Sequence, residues 1–199
     1  MRLMFKFKNR KSGSNSYMIF NKNEYYLFIF CIYQYFNLIN SKKMEFRRIV
    51  NLDMREMDEV ALEKSWEWLN DPEIKRLTIT PDFSKDEQKK WFESIKNRKD
   101  YWITVGWHNG EPIVIGGLKN IGEKDAEIFG YIGNKEYWGK GVAVDVMNMI
   151  HEYARSLGLE SIYSKMLKEN RNSIRLHNRF GYKYEKDIEG ESIMMRLAL

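Results

Sequence analysis

Trp-Gly-Lys-Gly-Val-Ala, at residues 138–143, follows a strand-like run at 127–132 and opens a helix-like run at 142–157. The two glycines let the backbone curl tightly, and they leave its N–H groups uncovered by side chains. The first N–H groups of a helix have no partner within the helix, and the positive end of the helix dipole lies beside them. A strand, a glycine-rich turn and a helix in this order therefore predict a site that binds phosphate or pyrophosphate.

Two common phosphate loops do not fit this turn. A Walker A loop needs a glycine, four further residues and then Gly-Lys followed by Ser or Thr, whereas Lys140 is followed by Gly141. A dinucleotide loop needs G-x-G-x-x-G, and the place of its last glycine is taken by Val144. The turn is therefore either another kind of phosphate-binding loop or a glycine-rich turn with a structural role alone.

The turn at 138–143 resembles the acetyl-CoA loop of the GNAT superfamily of N-acetyltransferases, Gln/Arg-x-x-Gly-x-Gly/Ala. Gly141 and Ala143 match its last two positions, and Trp138 stands where Gln or Arg is usual. Residues 170–182 resemble the late element of the same family, Asn-x-x-Ala/Ser-Ile-x-Leu-Tyr-x-x-x-Gly-Phe. The two motifs follow one another in the family's order, with a strand-like run between them. The resemblance covers residues 44–199 and is to the branch that acetylates ribosomal-protein N-termini, aminosugars and polyamines.

The charge is distributed unevenly along the chain. Residues 1–43 hold eight Lys/Arg and one Glu, a net charge of +7, although the whole chain carries only +5. The remaining residues hold 25 Lys/Arg and 27 Asp/Glu, so residues 44–199 carry a net charge of −2. This slightly acidic domain gives no argument for nucleic-acid binding and mildly favours a cationic acceptor.

Residues 1–43 differ in composition from the rest and are predicted to be a non-native or dispensable extension, with Met44 as the start of the domain. Their apolar run at 25–36 is shorter than the ~20 residues of a usual membrane span, and no small-x-small cleavage site follows it. The alternatives are a helix that binds a membrane surface or a partner, and a cleaved signal peptide. The only cysteine, Cys31, lies in this run, so the domain has no disulfide framework, and a cytoplasmic location fits.

The pattern after Met44 predicts the order β-α-α-β-β-β-α-β-α-β-β. A first strand is expected at 46–52, followed by a helix that Asp53 and Glu56 open as a capping box. Ser84 and Glu87 form a second capping box. The resemblance implies an α/β (α+β) GNAT fold, with a mixed sheet of six or seven strands splayed at the acetyl-CoA site and about four helices.

The resemblance also implies acetyl-CoA as co-substrate and assigns residues to it. In the family, the backbone of the splayed strand pairs with the pantetheine arm, and Gly130 is expected at a bulge there. The turn and the start of its helix would hold the pyrophosphate, and the late helix would add two contacts. The residues predicted to bind acetyl-CoA are Tyr131, Ile132, Gly133, Trp138, Gly139, Lys140, Gly141, Val142, Ala143, Asn170 and Ser173.

Some of these assignments have a second interpretation. Lys140 could be solvated instead of meeting a phosphate, and Trp138 could pack on the turn. Ser173 could serve only to cap its helix. An ordinary central strand is also compatible with the sequence at 127–132.

Acetyl transfer to an amine needs a group that takes the amine's proton, a donor for the thioester oxygen and a proton for the leaving thiolate. The resemblance assigns the first role to Glu127, with a solvated strand-end carboxylate as the alternative and Asp125 as a weaker substitute. His177 stands where many members carry the tyrosine that protonates the thiolate, and an imidazolium could do so. A helix-surface or CoA-contact role is its alternative. His151 is expected on the solvent face of its helix, and no metal site is predicted.

Acceptor specificity is expected in the first two helices and their connections. Residues 66–74 resemble the Trp-x-Asn-Asp-Pro segment of enzymes that acetylate nucleotide-linked aminosugars. The amino group of such a sugar is therefore the favoured acceptor, followed by a protein N-terminus and then a polyamine. A GNAT module that binds acyl-CoA without turnover is the rival from another class. No membrane partner is expected, and a homodimer is left open.

Overall fold

The computed structural model describes residues 3–8, 15–20 and 50–199. The chain divides into two units, Met1–Arg48 and Ile49–Leu199. In the first unit, β1 (Leu3–Lys8) and β2 (Asn15–Phe20) pair as an antiparallel ladder. The apolar run at 25–36 lies outside the described residues, so its nature stays a prediction. Within the described ranges, no helix has the length and apolar character needed to cross a membrane.

The described part of the second unit is a seven-stranded sheet with five α-helices, which confirms the mixed α/β architecture. The elements are β3 (Asp53–Arg55), α1 (Glu59–Leu69), α2 (Pro72–Thr78), α3 (Lys85–Ile95), β4 (Tyr101–His108), β5 (Glu111–Lys119), β6 (Asp125–Ile132), α4 (Val142–Ser156), β7 (Ser161–Leu167), α5 (Arg171–Arg179), β8 (Lys183–Ile188) and β9 (Ser192–Ala198). The sheet order is β3-β4-β5-β6-β7-β9-β8, and among these pairings β6–β7 alone is parallel.

The start of the unit differs from the prediction. Asp53 was expected to cap the first helix, and this is wrong because Asp53 pairs with Trp107 in the sheet. Asp58 caps α1 instead, accepting a hydrogen bond of 2.8 Å from the backbone N–H of Ala61. Of the strand expected at 46–52, residues 46–49 lie outside the described residues, and residues 50–52 are not in a strand.

The other helix signals have clearer outcomes. Ser84 and Glu87 form the predicted capping box at the start of α3. Helix α1 stops at Leu69. The helix that follows, α2, was not predicted: Asp71 caps it and Pro72 occupies its first turn, where a proline is well tolerated.

Two apolar cores lie on opposite faces of the sheet. One packs under α1 and α3, and its buried members are Met57, Ala61, Phe92, Ile95, Val105, Trp107 and Ile115. The other packs under α4 and includes Val142, Val146, Met147, Ile150, Ala154, Ile162 and Tyr182. The alternation of strand side chains sends Phe129 and Tyr131 to the first core and Ile128 to the second. Strand β6 is therefore covered on both faces.

His151 lies inside the second core and not on the solvent face, so that expectation is wrong. The side chain is 4% exposed, and its Nε2 lies 2.9 Å from the hydroxyl oxygen of Tyr182. The ring of Phe180 meets the imidazole edge to face at 5.1 Å. A histidine can occupy this apolar face because the tyrosine hydroxyl satisfies its buried ring nitrogen.

The burial of His151 predicts a dependence of stability on pH. Burial lowers the pKa of His151 from 6.5 to about 4. Between these values the unfolded chain binds a proton that the folded chain does not, so stability falls as pH drops from about 6.5 towards 4. We expect this histidine to contribute up to about 3 kcal/mol to the fall in the free energy of unfolding, measured by urea titration. His151→Gln should flatten the profile, and an unchanged slope would assign the effect to other groups.

Candidate active site

Strands β6 and β7 separate part-way along their length. They pair at three positions, of which the last joins Glu127 to Tyr163. Beyond it, β7 continues its ladder with β9, while residues 128–132 of β6 have no strand partner on the side that faces β7. The predicted splay is therefore present, and it leaves a row of backbone hydrogen-bonding groups at the middle of the sheet.

A cavity of about 800 Å³ lies at this gap and reaches both faces of the sheet. On one face it is lined by Phe83 and Trp91, from α3 and the loop before it. On the other face it is lined by Met147 of α4 and His177 of α5. Glu127 and the unpaired part of β6 form the wall between the two ends. The cavity can therefore hold one reactant on each face, with the two meeting at the splay.

The turn after β6 is held by hydrogen bonds to β5 and to the last residue of β6. The backbone N–H of Gly133 donates to the carbonyl of Ile113 at 2.9 Å. The indole Nε1 of Trp138 donates to the carbonyl of Ile132, also at 2.9 Å. Lys140 is exposed, with its ammonium 5.3 Å from the centre of the Tyr137 ring. Trp138 therefore packs on the turn, which was the alternative to a contact with acetyl-CoA.

The start of α4 presents unpaired donors. Gly139 and Gly141 have φ angles of 73° and 87°, and Gly141 is the N-cap of the helix without a side-chain cap. Within residues 50–199, the N–H groups of Gly139, Gly141, Val142 and Ala143 have no hydrogen-bond acceptor. The side chain of Val142 is buried, so this residue anchors the turn in the core and turns only its backbone outward. Free donors beside the positive end of a helix dipole are the features that favour an anion at a helix start.

The glycines of β6 and its end serve close packing. A Cβ on Gly133 would lie 1.9 Å from the Trp68 ring. Gly130 was expected at a bulge, and this is wrong because it pairs with Gly116 in an unbroken register. A Cβ on Gly130 would approach the carbonyl oxygen of Ile115 to 3.1 Å, so the tight approach of β5 explains the glycine without a bulge.

The side chain of Tyr131 points to the α1 and α3 face. Its hydroxyl lies 2.9 Å from Oγ of Ser65, and Nε2 of Gln88 donates to the same Oγ at 3.3 Å. Burial raises the pKa of Tyr131 well above its usual value. This neutral network fixes β6 against α1, so the backbone of β6 is the part left for a ligand.

Glu127 lies at the point where the strands separate. Its side chain is 6% exposed, with Lys119 Nζ 3.1 Å from Oε1 and Lys165 Nζ 2.9 Å from Oε2. Asn120 donates a further hydrogen bond of 3.2 Å to Oε2. The carboxylate raises the pKa of Lys165 through this contact. Glu127 is thus a buried, oriented carboxylate in the cavity wall and not a solvated strand end.

The sequence profile described as "Acetyltransferase (GNAT) domain" matches residues 51–183, two thirds of the chain. The chain belongs to the GNAT acetyltransferase family. Its splayed sheet and the glycine turn at α4 are thus those of a GNAT domain.

Comparisons with individual proteins agree with this fold. An uncharacterized protein of Methanocaldococcus jannaschii is 26% identical over 155 residues, which are 75% of this chain and 31% of that protein. The chain thus spans about a third of the length of this curated relative. Spermidine N-acetyltransferase of Vibrio cholerae, solved with CoA and spermine, has a TM-score of 0.67 at 22% identity, covering 74% of this chain and 95% of that one. A putative acetyltransferase of Salmonella typhimurium, solved with acetyl-CoA, has a TM-score of 0.61 at 18% identity, covering 74% and 93%.

The late GNAT helix, α5, brings its predicted residues to the cavity. Asn170 caps the helix by accepting from the N–H of Ser173 at 3.1 Å, and both residues line the cavity. His177 is 7% exposed, and its Nδ1 lies 2.8 Å from the backbone carbonyl of Ser173. Since a carbonyl can only accept, Nδ1 carries a proton, and in the neutral ring Nε2 is left as an acceptor. Burial lowers the pKa of His177, which favours this neutral form.

Two lysines of the site were not singled out from the sequence. Lys119 is directly opposite Glu127 in the β5–β6 ladder, so counting the antiparallel register back from the turn at 120–124 could have found it. Lys165 reaches the same carboxylate from β7, whose register to β6 is set by a long crossover through α4. No local pattern marks that second contact.

Proposed function

We propose that this GNAT domain is an acetyl-CoA-dependent N-acetyltransferase in which a primary amine attacks the thioester directly. The observation that carries the proposal is the cavity at the splay between β6 and β7, which joins the unpaired edge of β6 to both faces of the sheet. In the reaction, the amine nitrogen bonds to the thioester carbonyl carbon and the carbon–sulfur bond breaks. The amine loses a proton, and the thiolate gains one.

The residues present fit acetyl-CoA as the co-substrate. The free N–H groups at Gly139, Gly141, Val142 and Ala143 suit a pyrophosphate, since they are donors at the positive end of α4. The open edge of β6 suits the amide groups of pantetheine. The N–H of Gly133 is bonded to Ile113, so Gly133 would contribute through its carbonyl, and Tyr131, which pairs with Ile115, would flank the arm. The carbonyl of Ile132 already accepts a hydrogen bond from Trp138. Ile132 would therefore contribute through its backbone N–H or its side chain. Asn170, Ser173 and Lys140 remain proposed contacts at the periphery.

Glu127 is our proposed acceptor of the amine proton. It lines the cavity where β6 and β7 separate, and its side chain is 6% exposed. Lys119 and Lys165 hold its two oxygens in place, so it needs no reorganisation before reaction. Holding both substrates in line at this point supplies a large part of the rate in such reactions.

We propose that His177 donates a proton to the leaving thiolate. It can do so only after its ring has been protonated. Its resting form is neutral with Nε2 unprotonated, so it must take up a proton before it can give one. A lowered pKa makes the imidazolium a stronger acid, which favours the transfer of its proton to the thiolate. That proton comes from solvent, because Glu127 takes the one that the amine loses.

The role of His177 is tested by two replacements. We expect His177→Phe to lower kcat by about a hundredfold, the lower end of the usual contribution of a positioned acid, because water can still protonate the thiolate. The dissociation constant for CoA should stay unchanged. His177→Tyr should recover most of the rate, since it restores a hydroxyl at the position where many GNAT members carry tyrosine. Initial rates from thiol release, with CoA titrations beside them, make the measurement. Equal rates for all three proteins would leave His177 a structural role only.

For the acceptor, we propose the amino group of a nucleotide-linked aminosugar, followed by a protein N-terminus and a polyamine. The α1 and α3 end of the cavity supports this order. Its lining holds two acids, Glu127 and Glu87, and both are already bonded, to lysines and to Ser84. A polyamine would need free carboxylates for its second charge, whereas the aromatic wall suits a sugar or a base. A cytoplasmic location and a homodimer stay predictions.

The first experiment is a calorimetric titration of acetyl-CoA and CoA into the full chain, followed by thiol-release assays with UDP- and TDP-linked aminosugars, an alanine-starting peptide and spermidine. Micromolar binding with turnover of one amine class supports the proposal and names the acceptor class. Binding with no turnover of any amine would favour the non-catalytic acyl-CoA module. A folded protein that binds neither CoA nor acetyl-CoA would overturn the proposal.

A further inference from the structure

Ile79 holds a backbone conformation that an isoleucine avoids. Its φ and ψ are 57° and 37°, in the left-handed region, where it ends helix α2. The N–H of Ile79 donates to the carbonyl of Arg76, and that of Thr80 to the carbonyl of Lys75, a helix ending that usually has glycine or asparagine at this place. A β-branched side chain is strained there. Within the described residues, the other non-glycine positions with positive φ are Asn109, Asn120 and Glu191.

The side chain of Ile79 is also exposed. It is 50% accessible, although it is large and apolar. The other exposed large hydrophobic residues of the described part, Val60, Leu157 and Tyr184, do not line the cavity, whereas Ile79 does. The fold therefore gains neither a relaxed backbone nor much burial from this isoleucine, and its side chain is left to meet a bound molecule.

Ile79 lies in the loop between α2 and α3, which lines the same end of the cavity as Phe83. Pro81 and Phe83 of the same loop line this end, together with Trp91 of α3. The loop is held in place at its start, because the hydroxyl of Thr78 donates to the carbonyl of Ile74 at 2.7 Å and lies 2.6 Å from the hydroxyl of Thr80. The isoleucine is thus presented in a fixed position and not on a free loop.

We propose that Ile79 is a specificity determinant that packs against an apolar part of the acceptor near its reacting amine. This inference rests on the proposed function and narrows it: the acceptor joins a primary amine to an apolar group, and a second cationic group at that place is disfavoured. An apolar contact of this size in a binding pocket changes kcat/KM by at least about tenfold.

The test compares two amines of the same length, hexylamine and 1,5-diaminopentane, which end in a methyl group and in a second ammonium. We expect the wild-type protein to favour hexylamine at least tenfold, both in kcat/KM and in its dissociation constant measured by calorimetry with CoA present. Ile79→Gly should remove this preference and leave CoA binding unchanged. It should also raise the melting temperature by roughly 3 °C, because glycine relaxes the left-handed backbone.

Two further variants separate the side chain from the backbone. Ile79→Asn tolerates the same φ with a polar side chain, so it should keep the gain in stability and lose the preference for hexylamine. Glu191→Gly relaxes a similar φ of 55° at the β8–β9 turn, outside the cavity, and should leave the preference intact. A fall in melting temperature in Ile79→Gly, or an unchanged preference, would overturn the inference.

The two proposals fail in different ways. If hexylamine binds in an Ile79-dependent manner but no thiol is released, the inference stands and the proposed N-acetyltransferase function fails. If both amines are acetylated with the same ratio in wild type and in Ile79→Gly, the function stands and the inference fails. If the wild-type protein binds neither amine, the inference is overturned whatever the result for CoA.

Discussion

Gly141→Asp is expected to weaken CoA binding by roughly a thousandfold. The carboxylate would stand among the free N–H groups at the start of α4, in the place proposed for the pyrophosphate. Two like charges about 4 Å apart near a protein surface repel by about 4 kcal/mol, which corresponds to that change in the dissociation constant. Calorimetric titration of CoA measures it. An affinity within a few-fold of wild type would refute the proposed pyrophosphate site.

Backbone strain has to be separated from charge in this variant, since Gly141 has a φ of 87°. Gly158→Asp is the matched control, because Gly158 has a φ of 75° with open space around it and lies just beyond the other end of α4. We expect both variants to lose stability, and only Gly141→Asp to lose CoA binding. Loss of binding in both would point to damage of the helix and not to the turn.

Glu127→Gln is expected to lower kcat by about a hundredfold to ten-thousandfold, the usual contribution of a positioned general base. The amide keeps the shape of the side chain but cannot take the amine's proton. CoA binding should stay unchanged, because the carboxylate lies in the wall of the cavity away from the turn. Single-turnover rates with saturating acetyl-CoA measure the effect. A rate within threefold of wild type would remove Glu127 from the mechanism.

The same change breaks ion pairs with Lys119 and Lys165, so two controls accompany it. Glu185→Gln removes a carboxylate that lies 2.6 Å from Arg196 outside the cavity, and it should leave kcat unchanged. Lys165→Met removes one of the two ammonium groups while keeping Glu127, and it should cost less than Glu127→Gln. A larger loss in Lys165→Met would move the essential role to the lysine.

Local signals were enough to predict much of this fold. Ser84 and Glu87 open α3 because their hydrogen bonds depend only on residues three apart. The turn at Gly141 could be predicted because a strand, two glycines and a helix are continuous in sequence. Where one local signal competed with another, the prediction failed: Asp53 and Asp58 are both acceptable caps, and pairing of Asp53 with β4 decided between them.

The parts that could not be predicted depend on long-range pairing. Lys165 meets Glu127 only because β7 runs parallel to β6 after a crossover through α4. His151 is buried because Tyr182, thirty-one residues later, supplies its hydrogen-bond partner. The left-handed conformation of Ile79 has no sequence signal, since the helix ending it forms is normally marked by glycine. These three residues concern the site and its support more than the architecture.

The short ladder between β6 and β7 leaves the middle of the sheet incompletely hydrogen-bonded. Three residue pairs join its two halves directly, while every other described neighbour of β6 or β7 is joined by a longer ladder. A substrate that pairs with the free edge of β6 would act as a missing strand and tie the halves together. Binding of that substrate would both fill the proposed active site and stabilise the sheet. Without it, the sheet would open most easily between β6 and β7, where the reaction is proposed to occur.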